Sequence, residues 1–111
     1  MAIGKIPTLP SVPFYTQRTS LDGQLYLLEF KWNELNESWY LSLYTDLGEP
    51  LQYNMRLSAD FPINYLTTDP RAPQGWIIAY DTTKQGVDPA FDDLGTRSLL
   101  LYFDEEEVNG L

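Results

Sequence analysis

Three carboxylates crowd one short stretch of the chain: Asp88, Asp92 and Asp93 in DPAFDDLG. Oxygen ligands in that number could hold a hard cation such as Ca²⁺ or Mg²⁺. Their spacing does not match the D-x-[DN]-x-[DN]-G pattern of a calcium loop. The same residues also suit a turn, with Asp92 or Asp93 accepting backbone N–H groups ahead of Gly95 and Arg97 neutralising the charge. The turn is the reading adopted, and neither a metal nor a cofactor is expected. Carboxylate pairs of the kind used in acid–base hydrolysis carry little information here. With 16 acids in 111 residues, some pair falls at catalytic separation by chance. There is no Cys and no His. That removes thiol nucleophiles, disulfides, Ser-His triads and most zinc or copper sites. The chain is therefore read as non-enzymatic.

The formal charge is −9, which argues against nucleic acid and anionic membrane as partners. No segment approaches the roughly 20 apolar residues of a membrane span, and the N-terminal residues contain no signal-peptide core. A soluble, unprocessed intracellular product is expected. The charge is uneven. Residues 1–20 carry Lys5 and Arg18 with no acid, whereas 81–107 carry eight acids against Lys84 and Arg97.

The remaining chemistry is adhesive, and it lies on strands. The composition is 43% hydrophobic and 14% aromatic, which suits a folded β protein. Residues 1–111 make a single domain at this length. In QLYLLEFKWN, Tyr26, Leu28, Phe30 and Trp32 share one face in period-2 alternation. In SWYLSLYT, Trp39, Leu41 and Leu43 share one face, with Tyr40 and Tyr44 on the other. The short polar loop between them predicts a β-hairpin with Trp32 and Trp39 as a cross-strand pair. Asp22-Gly23 marks a turn before it, with a first strand near 12–19. Leu51, Tyr53, Met55 and Leu57 predict a further strand with those four residues on one face.

Residues 58–74 read as a long irregular connection with one helical turn near 63–66. Trp76 opens the next strand. SLLLYF should be a central strand buried on both faces. Three prolines in residues 1–13 make residues 1–11 an extended arm, free to add as a strand to a partner's sheet. Residues 104–111, beginning with four consecutive acids, read as a solvated tail. The fold expected is all-β: a small antiparallel barrel or two-sheet sandwich of about six strands. Aromatics on both faces of the predicted hairpin imply burial against a second sheet or another subunit. The alternative is a β-sandwich presenting them to a carbohydrate or peptide.

Four segments taken in order resemble a known family: LDGQLYLLEFKWNE (21–34), SWYLSLYTDLGEPL (38–51), TDPRAPQG (68–75) and DPAFDDLGTRSLLLYF (88–103). Together they look like the baseplate plug domain family of contractile-tailed phages. The likeness covers roughly residues 21–103, so the N-terminal arm and the acidic end lie outside it. It implies a virion protein of the tail baseplate, made in the host cytoplasm, that plugs or completes the junction of hub and tail tube. Its implied partners are phage tail-tube and baseplate hub proteins, in an oligomeric, symmetric assembly. The family motif maps onto Trp32, Asn33, Glu34, Trp39, Tyr40, Asp69, Pro70, Arg71, Asp92, Asp93, Gly95 and Arg97, and no catalytic role comes with it. Tyr44 and Trp76 join these as interface or framework candidates from the aromatic pattern.

Overall fold

In the computed structural model, residues 3–9, 11–64 and 69–104 are described. Asp22 and Gly23 both take positive φ, 55° and 76°, which is the two-residue turn whose twist matches that of paired strands. That turn joins β2 (Phe14–Leu21) to β3 (Gln24–Asn33), in unbroken register from Leu21↔Gln24 to Phe14↔Lys31. β3 then pairs with β4 (Ser38–Thr45), placing Trp32 opposite Trp39. β4 pairs with β5 (Pro50–Arg56). The result is a four-stranded antiparallel meander, β2-β3-β4-β5.

The β4–β5 ladder is irregular, with register shifts between Leu41 and Tyr44, and Asn54 sits at φ 52°. This bulge breaks the alternation expected of β5. Met55 and Leu57 are buried, but Tyr53 turns outward and is 58% exposed. Its ring meets that of Tyr44 edge-on, 5.8 Å between centroids.

The second sheet has the order β1-β7-β6, from Ile3–Lys5, Ser98–Phe103 and Trp76–Asp81, also antiparallel throughout. β1 changes the reading of the N-terminal arm. Instead of waiting for a partner's sheet, it pairs with β7 of its own chain, and Ile6, 2% exposed, enters the core. Pro7 ends that strand because it has no N–H to offer the ladder. β7 is central, as expected, but only alternate residues are deeply buried. Ser98, Leu100 and Tyr102 face the other sheet. Leu99, Leu101 and Phe103 face away from it and are half-buried.

One hydrophobic cluster joins the two sheets into a sandwich. Leu28 and Phe30 of β3 and Trp39, Leu41 and Leu43 of β4 meet Ile77 and Ala79 of β6 and Leu100 of β7. Burial of each large side chain contributes about 1.5–3 kcal/mol. The described part of the 58–74 connection holds no helix. It runs along β6, with Asp60 N–H donating to Ala79 O at 2.8 Å and Ile63 N–H to Ile77 O at 2.9 Å. Part of the expected helical turn and nearly all of the acidic tail, residues 105–111, lie outside the described residues.

Candidate functional site

The candidate residues gather at two ends of the sandwich rather than in one site. At the first end the Trp32–Trp39 pair has centroids 5.6 Å apart in a T-shaped arrangement. Phe91 stacks on Trp39 at 6.1 Å, with its plane 9° from parallel. The Trp39 indole Nε1–H donates to Ala90 O at 3.1 Å. The aromatic pair thus pins the Asp-rich loop to the end of the four-stranded sheet. Asn33 shapes the hairpin turn, its Oδ1 accepting from Leu35 N–H at 2.9 Å and Asn36 N–H at 3.4 Å. Asn36 in turn donates to the Tyr40 hydroxyl at 2.7 Å. Glu34 stays exposed on the turn.

Arg97 ties the 82–97 loop together. Its guanidinium meets Asp81 at 2.9 Å and Asp93 at 2.8 Å, and donates to the carbonyls of Val87 and Asp88 at 3.1 and 2.9 Å. Asp93 also accepts from Ala90 N–H at 2.9 Å. Its carboxyl is held below the usual range, chiefly by the Arg97 hydrogen bonds. Asp81 has no exposed side-chain surface. It accepts from the hydroxyl and N–H of Thr83 at 2.6 and 2.9 Å and from Val87 N–H at 3.0 Å. The Thr83 hydroxyl first, then Val87 N–H, hold its carboxyl well below the usual range. Arg97 adds to this.

The other acids of this end are engaged separately. Asp88 accepts from Ala59 N–H at 2.8 Å and Arg56 at 3.2 Å, and Asp92 accepts from the Ser11 hydroxyl. No group of three or more His, Cys, Asp or Glu among the described residues is arranged to hold a metal ion. Gly95, at φ 93°, lets the loop turn where Thr8 passes: a Cβ there would lie 2.8 Å from the Thr8 Oγ1. A surface groove of about 470 Å³ lies over this end, between Trp32, Glu37 and residues 88–93.

The DPR segment lies at the opposite end of β3, about 20 Å away by strand rise from Trp32 to Tyr26. Asp69 holds Arg71 through its guanidinium, at 2.8 and 3.1 Å, and through Arg71 N–H at 2.9 Å. These bonds lower the Asp69 pKa to about 2. Arg71 also meets Glu49 at 3.1 Å, and its carbonyl accepts from the Tyr26 hydroxyl at 2.9 Å. Pro70 is exposed within this loop. Beside it, Tyr102 donates its hydroxyl proton to Asp22 and accepts from Gly75 N–H at 2.9 Å. Burial first, then the Asp22 hydrogen bond, raise its pKa.

Trp76 follows on the outer face of the small sheet with Ile78, Tyr80, Leu99, Leu101 and Phe103, all half-buried. Tyr40 and Tyr44 occupy the outer face of the large sheet.

A family model described as the cyanophage baseplate Pam3 plug gp18 matches residues 3–106. The chain belongs to this family. The plug family is one of structural baseplate proteins. Comparison with curated proteins returned no match. The matched span begins at Ile3, the first residue of β1, and so takes in the N-terminal strand.

Several residues that organise the two ends are absent from the sequence candidates. Asp81 shares parity with Ile77 and Ala79 in WIIAYD, which places it on the inner face. An acid at such a position, followed by two threonines, is a usable signal for a buried turn anchor. Phe91, Tyr102 with Asp22, and the buried Asn64 give no such signal. Asn64 bonds Gly75 O and Ile77 N–H at 3.0 and 2.9 Å, across the long loop. These are partnerships of side chains far apart in sequence.

Proposed function

We propose that the chain plugs or completes the junction between the tail tube and the hub of a phage baseplate, through protein–protein contacts. Its partners are the tail-tube and hub proteins. It acts as a structural part of the virion, made in the host cytoplasm and incorporated within a symmetric assembly. Family membership supports this reading, and one feature of the molecule carries it further. The outer face of the small sheet, Trp76, Ile78, Tyr80, Leu99, Leu101 and Phe103, is largely apolar and only half-buried, with Lys5 opposite Leu101. Contiguous apolar faces of this kind mark contact surfaces. The aromatic stripe of β3 and β4, by contrast, is core. Trp39 is fully buried and Trp32 lies against it and Phe91, so these rings offer no open platform for a sugar.

The test is co-expression with tail-tube and hub proteins, followed by mass spectrometry of assembled virions. The chain should copurify with them and be present in virions. Ile78→Asp or Leu101→Asp should abolish copurification while the unfolding midpoint moves by only a few degrees. A chain missing from virions overturns the proposal. Undiminished copurification of both variants overturns the assignment of the face.

A further inference from the structure

The sandwich has four sheet edges, and they are not treated alike. That of β6 is covered by residues 59–63, which bond its carbonyls. The edge of β5 is bulged, with Asn54 at positive φ. β1 is three residues long and carries Lys5. These are the devices by which proteins keep edges from pairing. Of these β2 shares only a charge, that of Arg18. It is eight residues long, without proline or bulge, in continuous register with β3.

Its hydrogen-bond phase follows from the turn. A two-residue hairpin makes Leu21↔Gln24 a bonded pair, and bonded pairs recur at every second residue. The bond from Trp32 N–H to Pro13 O, 2.8 Å, continues the same phase. Tyr15, Gln17, Thr19 and Leu21 therefore bond β3. Phe14, Thr16, Arg18 and Ser20 aim their N–H and C=O groups away from the sheet, and none of these groups bonds a described residue. Their side chains are all exposed, Phe14 by 53%.

We propose that this edge pairs with the same edge of a second copy of the chain. The two β2 strands run antiparallel about a two-fold axis at Gln17. The four-stranded sheets then join into one continuous sheet, β5-β4-β3-β2-β2-β3-β4-β5. Two observations select a second copy as the occupant. The first is the register. Centred on Gln17, Phe14 meets Ser20 of the second copy and Thr16 meets its Arg18. Every outward-facing residue of each strand then has a partner, and the two Arg18 side chains are not opposite each other. The second is charge. A chain of −9 repels its own copies over most of its surface, but residues 1–21 contain no acid. The one charge on β2, Arg18, is already paired with Asp46 at 2.7 Å. Two copies can meet at β2 with no carboxylate on either paired strand. The apolar face of the small sheet takes no part and stays available to other proteins.

Sedimentation of the purified full chain at micromolar concentration tests this. The wild type should show twice its 12.8 kDa mass. Thr16→Pro removes an outward N–H and no β2–β3 bond, so it should leave the circular dichroism spectrum unchanged. It removes the bond twice in a two-fold pair, which should weaken self-association about 100-fold. The chain has no cysteine, so Gln17→Cys provides a single thiol. At the axis the two Cα atoms would stand about 4.5 Å apart, within disulfide reach. Mild oxidation should therefore link the dimer, and Leu35→Cys, in the exposed turn between β3 and β4, should not link. A wild-type chain at single mass overturns the proposal. So does a dimer indifferent to Thr16→Pro, which would place the contact elsewhere. A dimer that Gln17→Cys fails to link overturns the register.

Discussion

Trp39→Ala should be the most damaging substitution at the aromatic end, and its cost can be worked out. The side chain is 0% exposed and touches Trp32, Phe91 and Tyr15, with centroids 5.6, 6.1 and 6.3 Å away. Truncating a buried Trp to Ala costs about 3–5 kcal/mol, lost transfer energy plus the cavity. The indole bond to Ala90 O adds at most about 1 kcal/mol, because Ala90 is exposed and its carbonyl can turn to water. A total of about 3–6 kcal/mol follows. Unfolding entropy near 2.1 cal/mol/K per residue gives about 0.23 kcal/mol/K for a chain of 111 residues. The thermal midpoint should therefore fall by about 13–26 °C. Far-ultraviolet circular dichroism is the assay, since fluorescence would lose one of the reporting rings. Pairing the change with Phe91→Ala in a double-mutant cycle should return a coupling of about 0.5–1.5 kcal/mol, from the stacked geometry. Glu34→Ala, on the exposed turn nearby, should stay within about 0.5 kcal/mol of wild type. A midpoint shift under about 5 °C for Trp39→Ala would refute the assignment of Trp39 as the anchor of the Asp-rich loop.

Gly75→Ala should prevent normal folding or lower the midpoint by more than about 10 °C. Its Cβ would stand 2.1 Å from the backbone oxygen of Phe103, and thermal melts of the expressed variant check this. Tyr102→Phe should cost about 2–3 kcal/mol in denaturant titration, because it strips partners from Asp22 and from the buried Gly75 N–H. Asp69, Asp81 and Asp93 all have pKa values below the ordinary 3.8 in the folded state. Their contribution to stability is complete above the unfolded value and is lost as pH falls through the folded ones. The midpoint should hold steady from neutral pH down to about pH 5, then drop between about pH 4 and pH 2. Asp81→Asn should lower the plateau and flatten that acid limb.

The four-stranded meander was legible because its signals are local. Period-2 alternation in β3 and β4 and the Asp22-Gly23 turn each concern residues within reach of their neighbours, and the Trp32–Trp39 pair follows from the hairpin. β1 was not legible. Three residues carry no periodicity, and only β7, far along the chain, makes them a strand. The alternation of β5 pointed to one continuous buried face, and a bulge at Asn54 turned Tyr53 outward instead. SLLLYF read as buried on both faces because composition alone does not separate a doubly covered strand from one whose second face is left apolar and half-buried. The reading of its central position was sound, and the half-buried side is what the sequence pattern could not express.

The two ends and the two open surfaces carry different kinds of residue. Trp39, Asn33, Asp93 and Arg97 bond within the chain at one end, and Asp69 and Arg71 do so at the other. Their partners are backbone groups and charged side chains of the loops at those ends, so their effect is to stiffen those loops. In a structural baseplate protein stiff loops lower the cost of docking, since each residue already ordered is conformational entropy that docking does not have to remove. The contact surfaces then need not coincide with the shared motif. The outer face of the small sheet and the outward edge of β2 carry none of the motif residues. Substitutions there should separate assembly from stability, whereas substitutions in the motif should damage both together. Trp76 and Glu34 make the distinction concrete: both are candidates, yet neither side chain hydrogen-bonds a described residue. Trp76 lies on the apolar face, where its loss should cost binding. Glu34 projects from a turn that Asn33 already holds, where its loss should cost neither.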